Sequence, residues 1–137
     1  MIYDKEVYHF LSLHFPIALF ITGYLFHILF ILLDKIEFEQ YILWTMGMGI
    51  LWSLVSIITG YITAIEMEYI SSFMDILQKR GINKHSHMMI LATGFFITTF
   101  ILINKKINIK ILLFIHSLAV ILLIYGTHLG AKWAERI

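Results

Sequence analysis

Cysteine is absent from this chain of 137 residues. That absence excludes disulfides, c-type haem attachment and thiolate metal sites. Proline occurs once, as Pro16. There it either opens a helix or kinks one, leaving carbonyls near Ser12 and Leu13 without their usual donor. Charge is scarce, at 14% of residues against 60% hydrophobic, with a mean hydropathy of +0.86; soluble domains carry about 25% charged residues. Such a chain cannot cover its surface with polar groups, so it belongs in a bilayer. The net charge of +1 leaves no basic stripe for nucleic acid. No glycine loop that would cradle phosphate is present. Ser12, Ser53, Ser56 and Ser117 are scattered, with no elbow motif and no Asp partner, so no catalytic residue is assigned. The opening "MIYDKE" has no basic n-region, and the apolar stretch after it has no small-residue cleavage site. That stretch is expected to stay in the mature protein.

What is there is apolar run after apolar run. A spanning helix needs roughly 20 mostly apolar residues, and charges cut the sequence into four such pieces. They lie between Glu6 and Asp34, Gln40 and Glu66, Lys84 and Lys105, and Lys110 and Lys132. The links "DKIEFEQ" and "KKINIK" are short and force antiparallel neighbours. The expected fold is therefore all-α: an integral-membrane four-helix bundle, up-down-up-down. Within "MEYISSFMDILQKRGIN", Ile70, Phe73, Met74 and Leu77 have helical spacing, which predicts a short amphipathic surface helix between spans two and three. No linker, low-complexity segment or sustained internal repeat stands out, so a single domain is read over 1–137.

The end bearing both termini is here called side A, the other side B. Lys5, Lys79, Arg80, Lys84, Lys132 and Arg136 fall on side A; Lys35, Lys105, Lys106 and Lys110 fall on side B. This bias leans towards a cytoplasmic side A. Tyr3, Tyr8, Tyr69 and Trp133 fit an aromatic belt on side A, Tyr41 and Trp44 one on side B. Trp52 is too deep for a belt and is expected to pack.

Seven histidines in so apolar a chain are the main chemical signal. At about 1.5 Å per residue, His14, His85 or His87, and His128 come to one level near side A, with Glu66 nearby. His27 and His116 form a second set in the side B half. His9 and one of the 85/87 pair read as interfacial. His87 shares its face with Leu91 and Gly94, His85 with Met89 and Ala92, and His87 is favoured as the inward ring. Hydrogen bonding across helices is the simplest role for His27 and His116. Ionisable groups within a span normally face the interior or a pathway, which favours function for His14 and His128.

A b-type haem suits such a cluster. Imidazole is a good axial ligand for haem iron, and bundles build haem sites from facing helices. Spans one and three should be diagonal, which makes His14 and His87 the leading axial pair, with His128 flanking or replacing His87. Ala18, Gly94, Gly126 and Gly130 would make room. A second haem would use His27 and His116, or His116 with Met46 or Met48. "HSHMM" (85–89) offers imidazole and thioether, which suit copper; zinc would need tighter convergence. Glu66, His14 and His128 could instead form a proton relay of a non-redox subunit.

"LHFPIALF" at the head of span one, a histidine entering span three and "YGTHLGAKW" closing span four resemble a family of small four-helix bacterial membrane proteins of unknown function. Its members carry an "HFPIAL"-like opening and a "GHLGG"-like closing motif. The resemblance covers nearly the whole chain and puts His14, His87 or His85, and His128 at motif positions. Relatives joined to, or encoded near, c-type cytochrome and Rieske modules imply a redox setting, with a quinone pool or other respiratory subunits as partners. Here Ala131 replaces the second glycine of the closing motif, and the histidine-containing tail of many relatives is not part of this sequence.

Overall fold

The computed structural model describes residues 5–66, 80–105 and 107–134, with side chains over 7–66, 84–105 and 107–132. Four helices result: α1 (Lys5–Leu33), α2 (Glu37–Glu66), α3 (Arg80–Asn104) and α4 (Ile109–Ala134). Each contains a segment long and apolar enough to cross a bilayer. The chain is a multi-pass membrane protein, and four spans return the chain to the side it started from. The predicted surface helix falls mainly on residues 67–79, outside the described residues.

Local chemistry sets the helix ends. Asp34 stops α1 with a φ of 50°, a left-handed conformation that aspartate tolerates better than most residues. Its N–H donates to the Phe30 carbonyl. Glu37 and Glu39 lie in the first turn of α2, where the helix dipole favours negative charge. Asn108 Oδ1 accepts from the Lys110 N–H at 2.9 Å and caps α4. Pro16 sits inside α1 without ending it; the helix runs through, and Pro16 is buried against its neighbours.

Neighbouring helices pair as two hairpins, α1 with α2 and α3 with α4. The hairpins join through α2–α3 and α1–α4, which leaves α1 and α3 diagonal. Lipid provides no hydrophobic drive between helices, so close approach and satisfied polar groups hold them together. A Cβ on Gly49 would stand 2.8 Å from the Phe20 ring, and one on Gly23 would stand 2.9 Å from Thr45 Oγ1. Thr93, Thr99 and Ser117 return their hydroxyls to the carbonyl four residues back, which makes them tolerable in hydrocarbon. At mid-bundle Phe20 and Phe96 stack across the diagonal, ring centroids 3.8 Å apart and planes 2° from parallel. The large side chains left exposed, such as Leu32, Trp44, Ile58 and Phe114, form the lipid-facing surface. Trp52 does pack, stacked on Phe15 at 4.7 Å.

No sustained repeat stands out in the sequence, but the fold contains one. The buried positions Pro16, Phe20, Gly23 and His27 of α1 recur 76 residues on as Ala92, Phe96, Thr99 and Ile103 of α3, all buried. Ile42, Met46, Gly49 and Ser53 of α2 recur 70 residues on as Leu112, His116, Ala119 and Leu123 of α4, again all buried. The second hairpin repeats the first about an axis along the bundle, the arrangement of parallel internal repeats in membrane proteins. Sequence identity survives only in fragments such as "LFITGY" (19–24) and "FFITTF" (95–100).

Candidate functional site

The repeat brings two histidines to matching places near side A. His9 on α1 and His85 on α3 are 76 residues apart, the same offset that relates Phe20 to Phe96. Each is half-buried and lies over a glycine of its own hairpin's second helix. A Cβ on Gly60 would stand 2.7 Å from His9 Cε1, and one on Gly130 would stand 2.8 Å from His85 Cε1 and Nδ1. His85 Nδ1 is 2.7 Å from the Gly126 carbonyl. A carbonyl only accepts, so Nδ1 carries the hydrogen, and in the neutral ring Nε2 keeps its lone pair. His9 Nδ1 instead lies 3.3 Å from Thr59 Oγ1 of α2, and Ser12 closes the cluster, 2.9 Å from that hydroxyl. At the same level the buried Ser56 Oγ has no hydrogen-bond partner.

The residues singled out by depth are placed differently. His14 is exposed, and its Nδ1 is bonded to the Phe10 carbonyl of its own helix. His128 is exposed and His87 half-buried, and His85 bonds into α4. Ala18 and Gly94 face outward, and a Cβ on Gly94 would meet nothing. Gly126 is buried beneath Met88 and Met89 and supplies the carbonyl for His85. Ala131, the departure from the closing motif, is exposed. The signal that could have found His9 is the recurrence itself: His9 precedes Phe20 by the same eleven residues that separate His85 from Phe96.

In the side B half, His27 and His116 are both fully buried. They face each other through Nδ1 atoms 3.0 Å apart. Imidazoles on opposite sides of one metal ion keep their nitrogens about 4 Å apart, twice a bond of about 2 Å. The contact is therefore a direct interhelical hydrogen bond. Tyr24 and Phe96 present edge-to-face contacts to the His116 ring at 5.2 and 5.6 Å, and Tyr24 itself bonds Ser117 at 2.9 Å. The repeat is broken here, because the equivalent positions in the other half are Ile103 and Met46.

Residues 7–137 match the family model described as predicted membrane protein, DUF2231. The chain belongs to that family. No curated protein and no solved structure matches it. Within the family resemblance, the glycines of "YGTHLGAKW" take on a definite job here: Gly126 orients His85 and Gly130 makes room for its ring. Among the described residues no three of His, Asp and Glu gather as a metal site would need.

Proposed function

We propose that this chain is a membrane-embedded b-type cytochrome whose haem is held between His9 and His85. One observation carries the reading: equivalent histidines on diagonal helices each lie over a glycine at equivalent positions, Gly60 and Gly130, and the Gly126 carbonyl holds the His85 ring from behind. A metal-bound histidine almost always donates its other ring N–H to a carbonyl or carboxylate, which fixes the tautomer and the ring plane. Gly60 and Gly130 admit the rings, and the unpartnered Ser56 Oγ lies at their level. Two imidazoles complete haem iron, whereas tetrahedral zinc needs four ligands. His9 and His85 are preferred as axial ligands to His14 and His87, because their nitrogens are oriented inside the bundle.

When bound, haem supplies one-electron transfer. The protein's part is to hold the rings, exclude lipid and place the site close to side A. Six of the ten Lys and Arg residues fall there, and side A is read as the cytoplasmic face of a bacterial inner membrane. The electron partners in this reading are a quinone pool and neighbouring respiratory subunits.

Copper is the second reading. Met89 Sδ and the His85 ring both lie against Gly126, and thioether with imidazole suits copper. Purified protein from cells supplied with haem decides between them. A reduced-minus-oxidised spectrum with a Soret band and sharp α and β bands is expected. A colourless protein with stoichiometric copper by elemental analysis overturns the haem reading, and a colourless protein without metal overturns both.

A further inference from the structure

The buried pair His27–His116 lies under a cavity of about 270 Å³ at the side B end of the bundle. His27, Ile42 and Ile103 line it, and the exposed Ile36 and Ile107 of the two links form part of its rim. The walls are apolar except for two groups, the His27 imidazole and Glu39. Glu39 is only partly exposed, and a carboxylate so placed requires water or a partner.

The histidine pair has a hydrogen-bonding requirement that the protein does not meet. A single hydrogen joins the two Nδ1 atoms. With both rings neutral, one ring is then the Nδ1–H form and the other the Nε2–H form. One Nε2 is therefore a bare acceptor and the other a donor. Both Nε2 atoms are buried and neither has a protein partner. Orphaned buried polar groups next to a roomy, partly polar cavity are where ordered water is found.

We infer that the cavity is a water-filled half-channel from side B that ends on the His27–His116 pair and gives that pair proton exchange with side B only. A proton arriving at a bare His27 Nε2 forms an N–H there. The His27 Nδ1 proton crosses to His116 Nδ1, and His116 then holds hydrogens on both nitrogens. The reverse sequence returns the proton. From α1, α2 and α4 the polar groups around the pair are Tyr24, Glu39 and Ser117; α3 contributes Phe96 and Ile103. Beyond it the Phe20–Phe96 stack closes the axis. The inference is independent of the haem reading, since it concerns the opposite end of the bundle.

The native absence of cysteine provides the test. In vesicles of defined orientation, Ag⁺ should block Ile42→Cys and Ile103→Cys against later maleimide labelling when added from side B and fail to do so from side A. Phe20→Cys should be blocked from neither side. Unblocked thiols at 42 and 103, or block from side A, overturn the inference. A measurement on the unmutated chain keeps the test independent of folding. Its His27 and His116 N–H signals, read by ¹⁵N NMR in bilayers, should be lost promptly on transfer to D₂O. Their persistence for as long as the backbone N–H groups of mid-α2 contradicts the half-channel.

Discussion

Two imidazoles each rest on a glycine hydrogen, and this makes single methyl groups decisive. Gly60→Ala and Gly130→Ala would put a carbon within 2.7 to 2.8 Å of a ring. The ring must then leave, at a cost of about 1–3 kcal/mol for overpacking. Each variant is expected to weaken haem retention on a gel-filtration column in detergent, whereas Gly94→Ala, which meets open space, should retain it fully. The His27–His116 bond makes a sharper case. His27→Ile alone leaves His116 with a buried nitrogen that has lost its partner, costing about 1–3 kcal/mol. The double variant His27→Ile with His116→Met carries what the repeat carries at the equivalent positions. It should be more stable than either single variant when unfolding is followed by heat or SDS. Residue roles were the least legible part of the sequence. Counting residues from the nearest charge gives depth, and depth put histidines of α1, α3 and α4 near side A. It does not give azimuth, and azimuth sets the half-buried His9 apart from the exposed His14.

The helices were legible because the bilayer enforces them. A span must satisfy its own backbone, so charge spacing alone marks where each helix lies. The observed ends fall close to the charges that bound the runs, except that α3 begins at Arg80, ahead of Lys84. Of the two roles expected for Pro16, opening α1 is excluded, because it lies well inside the helix at a buried position. End chemistry makes its own prediction. Asn108→Ala removes the side-chain acceptor for the Lys110 N–H and should cost about 1 kcal/mol. The loss should show as a lower midpoint in SDS unfolding, with the helix content of the native state unchanged.

The whole molecule is a doubled hairpin whose halves differ at the buried histidines. Symmetry places Phe20 on Phe96 and matches His9 to His85, while the counterparts of His27 and His116 in the repeat are Ile103 and Met46. A repeat that keeps its buried positions but few identical residues is invisible to inspection of a chain that is apolar nearly everywhere, which is why packing had to reveal it. The symmetric histidines near side A carry the proposed cofactor, and the asymmetric ones near side B end a separate path. The most direct measurement is the reduced-minus-oxidised visible spectrum of the protein compared with those of His9→Ala, His85→Ala and His14→Ala. The account predicts low-spin bands in the unaltered chain and in His14→Ala, and their loss in His9→Ala and His85→Ala. Low-spin bands that survive in His9→Ala or His85→Ala, or that vanish in His14→Ala alone, would contradict it.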